Sequence, residues 1–106
     1  MLEPFFKMQN KLKRLSYNQL LVLKVFSGAG GKIVTLNQLE KKTRLRGKSL
    51  GGVLSALSRT RFRGISLIEP VGKARQGTGL RWRLNERLLK AKQAKNEVNQ
   101  LLKTYE

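Results

Sequence analysis

Apolar positions recur with helical spacing in several stretches of this chain and alternate in one. Among residues 1–15, Phe5, Met8, Leu12 and Leu15 fall three, four and three apart, which is one face of an amphipathic helix. Lys7, Lys11, Lys13 and Arg14 interleave with them, and Pro4 is tolerated in a first helical turn. Ser16-Tyr17-Asn18-Gln19 fits a capping box and opens a second helix. Leu20, Leu21, Val22, Leu23, Val25 and Phe26 make that helix apolar on most sides, so it is expected to be the most buried. Ser27-Gly28-Ala29-Gly30-Gly31 ends it. Because Gly31-Lys32 leads into the β-branched run Ile33-Val34-Thr35 and not onto a new helix, this is a plain turn and not a phosphate-cradling loop.

A very short strand is expected at residues 32–34, followed by a second capping box at Thr35 and Gln38. The helix it opens turns Leu36 and Leu39 inward and ends near Lys42, because Thr43-Arg44-Leu45-Arg46-Gly47 breaks the pattern. Leu50, Val53, Leu54 and Leu57 then give one apolar helix face. The opposite face holds Lys48, Ser49, Gly52, Ser55, Ser58 and Arg59, with Gly51 at its border. Each helical glycine costs on the order of 1 kcal/mol relative to alanine. Close helix packing at Gly51 and approach of a nucleic-acid backbone at Gly52 are the expected compensations.

Past Arg59-Thr60-Arg61-Phe62-Arg63-Gly64 the chain carries strand residues, Ile65, Leu67 and Ile68, with Pro70 marking an edge strand. Residues 72–79 form a glycine-rich basic connector, and Leu80-Arg81-Trp82-Arg83-Leu84 alternates strictly. A β-hairpin with a long basic tip follows, with Leu80, Trp82 and Leu84 inward and Arg81 and Arg83 outward. Asn85 can cap a last helix. Along it Leu88, Ala91, Lys95, Val98, Leu102 and Tyr105 recur as a heptad seam, interrupted by Lys95; a helix packed on its own domain could show this spacing, but so long a tail has little core left to cover, and self-association as a homodimer is expected.

Composition sharpens this picture. At 106 residues the chain is one domain's worth. Its net charge of +17 attracts polyanions, nucleic acid foremost. No stretch approaches the roughly 20 apolar residues that span a bilayer, and the N-terminus lacks a signal peptide's apolar core. An intracellular protein, cytoplasmic or nucleoid-associated, is expected, with no membrane partner. The chain contains no Cys, His or Asp, and its six glutamates are scattered. Disulfides, the usual zinc sites and the standard catalytic pairings are therefore disfavoured, as is a two-metal nuclease. No enzyme activity, cofactor or small-molecule ligand is expected.

The succession of helix, short strand, helix, turn, helix and hairpin over residues 16–85, about two thirds of the chain, resembles the winged helix-turn-helix superfamily. The resemblance rests on LNQLEKKTRLRGKSLGGVLSAL, two helices spaced around a turn, and on ISLIEPVGKARQGTGLRWRLN, similar to two wing strands and a wing tip. It implies an α+β fold, a three-helix core plus β-hairpin wing, flanked by an N-terminal helix in residues 1–15 and a C-terminal helix in residues 86–106. The terminal helices are similar to those of dimeric regulators, which would put Leu88, Ala91, Val98, Leu102 and Tyr105 in a dimer interface.

The resemblance further implies double-stranded DNA as the partner. It directs Lys48, Ser49, Gly52, Ser55 and Arg59 toward the major groove and Arg75 toward the minor groove or backbone. The sequence departs from the family at Arg46, where a Ser or Thr cap is usual, and in the arginine-rich connection from Arg59 to Gly64. The remaining cations fit phosphate contact, which fixes register without reading sequence. Lys41, Lys42, Arg44, Arg46, Arg61 and Arg63 crowd the motif, and Lys73, Arg81 and Arg83 flank the wing. Few side chains on the reading face can grip a base edge. Salt-sensitive binding with modest sequence preference is expected, in transcription regulation or on a chromosome or plasmid. Binding of structured RNA, as in a ribonucleoprotein, and a protein-adaptor role are the alternatives.

Overall fold

The computed structural model describes residues 3–73 and 80–105, with side chains from Met8 onward. Phe5 and the hairpin-tip Arg75, both singled out above, lie outside the described side chains. Among the described residues the fold is α+β, with five helices and two small antiparallel hairpins. The helices are α1 (Glu3–Leu12), α2 (Tyr17–Gly28), α3 (Leu36–Thr43), α4 (Gly47–Arg59) and α5 (Ala91–Lys103). The strands are β1 (Arg61–Phe62), β2 (Ile65–Ser66), β3 (Ile68–Lys73) and β4 (Leu80–Leu84).

Both capping boxes form. The Gln19 N–H donates to Ser16 Oγ at 3.2 Å while the Ser16 N–H donates to Gln19 Oε1 at 2.8 Å. Gln38 and Thr35 repeat the exchange at 3.2 and 2.9 Å. Each box satisfies two donors that a helix start leaves orphaned, so the starts of α2 and α3 are set locally. α2 is the hub expected from its composition, with Leu20, Val22, Leu23 and Phe26 all buried.

The first helix stops at Leu12, short of residue 15, yet Met8, Leu12 and Leu15 are all buried. Gln9 Nε2 donates to Glu97 Oε1 at 2.7 Å and ties α1 to α5. The strand expected at residues 32–34 reduces to one bridge. Val34 pairs with Trp82 through N–H···O bonds of 2.7 and 2.9 Å, which places β4 between Val34 and β3. β3 is thus an edge strand, where Pro70 removes no needed donor.

The arginine-rich connection folds as a hairpin of its own, and the second hairpin starts at Ile68, later than expected. β1 and β2 pair around Arg63 and Gly64, whose φ values of 55° and 80° are those of a two-residue turn with both central residues left-handed. Alternation in β4 also holds only in part. Leu84 is buried and Trp82 half-buried, but Leu80 is exposed, and Arg81 is half-buried where it was expected to face out. The Arg81 guanidinium lies over Gly72, next to the register shift in β3.

The last helix begins at Ala91, not after Asn85. Asn85 is itself buried and holds a short turn, accepting the Arg87 N–H at 3.3 Å. Glu86 provides the cap instead, its Oε2 accepting the Ala91 N–H at 2.9 Å. The Glu86 carboxyl also abuts Gly31, where even a methyl group would collide with it.

The expected dimer seam is largely consumed inside the chain. Ala91, Ala94 and Val98 are buried, and α2 with α5 forms the most extensive helix–helix contact among the described residues. Leu88 and Leu102 pack half-buried against the same core, while Lys95 is exposed. Tyr105 is exposed as well, and its ring meets that of Tyr17 edge-to-face with centroids 5.1 Å apart. Ala91, Val98 and Leu102 of the expected repeat thus lie on the stripe that packs inward, which Ala94 completes where the repeat has Lys95.

Candidate nucleic-acid interface

Two helices, α3 and α4, and the turn of Arg44, Leu45 and Arg46 between them position most of the expected contacts. Lys41 and Lys42 project from the last turn of α3, both exposed. The helix ends at Arg44, held left-handed at φ 64°, with its N–H bonded to Glu40 O at 2.9 Å. Glycine is the usual residue for that role, because a side chain there meets the following carbonyl. Arg46 then occupies the cap position of α4 and makes no side-chain cap bond, which leaves its exposed guanidinium uncommitted to the helix start.

α4 buries Leu50, Leu54 and Leu57 and turns its other side outward. Lys48, Ser49, Gly51, Gly52 and Arg59 are exposed, and Ser55 is half-buried. Nothing lies within 4 Å of where a side chain at Gly51 or Gly52 would stand. Helix packing at Gly51 is therefore excluded within the described chain, and both glycines face open space. Ser58 is a weaker candidate for outside contacts, since its hydroxyl donates to the Ser55 carbonyl at 2.8 Å.

The hairpin after α4 adds Arg61 and Arg63, both exposed. Phe62 sits between cations, with Lys11 Nζ 5.8 Å and Arg63 5.5 Å from its ring centre, and Lys11 also donates to the Arg61 carbonyl. Such cation–π contacts contribute about 0.5–1 kcal/mol at exposed sites and help hold this small hairpin against α1.

The expected wing cations fare differently from those of the helices. Lys73 is exposed at the end of β3. Arg83 donates from Nε to Glu69 Oε1 at 2.8 Å across the β3–β4 pairing and is committed to that ion pair. The half-buried Arg81 has an Nε–H with no acceptor among the described residues. Arg83 faces out as the alternation predicts, though paired with Glu69, and Arg81 does not.

Electrostatics separates the α3–α4 region from the rest. From Lys41 to Arg63 the chain carries eight cations, Lys41, Lys42, Arg44, Arg46, Lys48, Arg59, Arg61 and Arg63, and no acid. Three of the glutamates elsewhere are engaged by the fold: Glu69 by Arg83, Glu86 by the start of α5 and Glu97 by Gln9. Glu40 of α3 is the acid nearest in sequence to this run, and from the turn through α4 to Arg63 no acid in the run offsets the positive field. Sequence reasoning missed Arg87, an exposed cation brought beside Arg59 and Arg61 by the turn after β4. It lies between a strand and a helix, where no periodic pattern singles it out.

Among the described residues no group of acidic residues could hold a metal ion, and no helix is long and apolar enough to cross a membrane. Comparison with protein-family models, with curated proteins and with solved structures found no match, so any functional reading of this chain rests on its own geometry.

Proposed function

We propose that this chain is a winged helix-turn-helix domain that binds double-stranded DNA and has no catalytic role. α3 and α4 are its two motif helices, the exposed side of α4 enters the major groove, and the β3–β4 hairpin is the wing. The observation that carries the reading is the outer side of α4. Two helical glycines face open space there, between Lys48 and Arg59. Glycines that pack against nothing in their own chain weaken a helix, and a helix without side chains there can approach another backbone closely.

Phosphates are held by Lys41, Lys42, Arg44, Arg46, Arg61 and Arg63, and base edges are met by Lys48, Ser49, Ser55 and Arg59. Serine hydroxyls bond either donors or acceptors, so sequence preference is modest. The seam that suggested a homodimer packs largely on α2 within the chain, so this reading requires no second copy at the duplex. Regulation of transcription or organisation of a chromosome or plasmid are the roles that suit such a reader.

The test is fluorescence anisotropy of a short random-sequence duplex titrated with the protein at increasing salt, with an RNA duplex of equal length in parallel. A protein neutralising six to ten phosphates loses roughly a thousandfold or more in affinity between about 50 and 200 mM salt. Tight DNA binding with that slope is the expected outcome. A flat salt response, or preference for the RNA duplex, would overturn the proposal.

A further inference from the structure

At the C-terminal end of α4 an open groove of about 420 Å³ runs between the β1–β2 hairpin and the face of the β3–β4 sheet that carries Trp82. That volume is within the range of small-ligand sites, about 300–1,000 Å³. Arg59, Arg61 and Arg87 line it, each from a different element and each exposed. Glu69 also borders it, but its carboxylate is held by Arg83 at 2.8 Å, so the groove keeps an excess of positive charge. The apolar wall is made by Trp82 and Pro70, which are register partners across β3 and β4. A groove lined by a half-buried indole and by three exposed arginines matches a ligand with a flat apolar body and an anionic group.

We infer that this groove binds one unpaired nucleotide, its phosphate held by Arg59, Arg61 and Arg87 and its base set against Trp82. Aromatic side chains accept any base because every base has a π-face, while the arginines supply the anion contact. The nucleotide can be free or can be the unpaired end of a strand. The second source rests on the duplex-binding reading, since Arg59 belongs both to the outer side of α4 and to the groove, and a strand leaving the duplex there is delivered to Trp82.

Trp82 is the only tryptophan in the chain, so intrinsic fluorescence of the unmodified protein reports on this groove. The protein is titrated with inorganic phosphate, with adenosine monophosphate, with a blunt duplex, and with the same duplex carrying a short thymidine overhang. Anisotropy of each labelled duplex is read in the same samples. Quenching by the monophosphate but not by inorganic phosphate identifies a groove open to free nucleotide. Quenching by the overhang but not by the blunt duplex, with roughly tenfold tighter binding of the overhang, identifies a strand end; that gain is the size one base–aromatic stack supplies.

In either case Arg87→Gln abolishes the quenching and the gain of the overhang over the blunt duplex. The inference is overturned if neither monophosphate nor overhang quenches Trp82. It is equally overturned if inorganic phosphate quenches as well as the monophosphate, or if the blunt duplex quenches as well as the overhang and Arg87→Gln changes nothing. Failure of blunt-duplex binding with monophosphate quenching intact would sink the duplex reading and leave the groove standing.

Discussion

α4 and α5 are both thirteen residues long and both bury one stripe, yet they place their small residues on opposite sides. α5 turns Ala91 and Ala94 inward beside Val98, which lets its backbone come close to α2. α4 turns leucines inward at 50, 54 and 57 and carries Gly51 and Gly52 outward, where nothing in the described chain meets them. Small residues on a buried face are explained by packing. On an exposed face they are explained by something that approaches from outside, or not at all.

The sharpest way to break the α5 side of the comparison is to enlarge its contact. Ala94 is fully buried, so Ala94→Leu forces extra volume between α5 and its neighbours and costs about 1–3 kcal/mol. In a domain of this size that lowers the thermal midpoint by about 4–8 °C per kcal/mol, read by circular dichroism. A change within error would mean that α5 is only loosely docked, and self-association through its apolar residues would again be open.

The converse substitution is made on α4. Gly51→Ala and Gly52→Ala add a methyl group where there is open space, so each stabilises the fold by about 1 kcal/mol through helix propensity. Duplex affinity falls in the same variants, because the added methyl groups hold the helix off the nucleic acid. Denaturation and anisotropy move in opposite directions, a result that damage to the fold cannot produce. Stabilisation without loss of affinity would remove the observation on which the proposed function stands.

These contrasts also show what was legible in the sequence. The two capping boxes and the apolar wrap of α2 rest on interactions within a few residues, and the structure has them as read. The α4 stripe was equally plain, since Leu50, Leu54 and Leu57 declare one face. Features that depend on distant partners were not legible. Gly51 could be assigned to packing or to solvent only once its neighbours were known. The α5 stripe was read in part, since Ala91 and Val98 are buried, but its packing on α2 was not legible, nor was the separate turn at Leu88 that Glu86 and Asn85 organise. The β1–β2 hairpin was hidden because its turn uses Arg63-Gly64, where Asn-Gly or Asp-Gly is the usual signal. Among the site residues, the cations of the α3–α4 turn and Arg83 are exposed as expected, whereas the half-burial of Arg81 over Gly72 and the pairing of Arg83 with Glu69 are outside what strand alternation can show.

The smallest effect concerns Arg44, the residue that joins the two motif helices. A non-glycine residue at φ 64° carries a backbone cost of about 1 kcal/mol or more, and glycine would end α3 without it. Arg63 shares this conformation, but its guanidinium over Phe62 offsets part of the cost. Arg44 is exposed, and among the described residues no ring or carboxylate holds it. Arg44→Gly is therefore expected to raise stability by about 1 kcal/mol while removing one phosphate contact, which reduces the magnitude of the log-affinity against log-salt slope by about 1. Parallel denaturation and salt titrations separate the two effects. An unchanged slope would mean that the strain at Arg44 serves no bound phosphate, and the interface would then begin at Arg46.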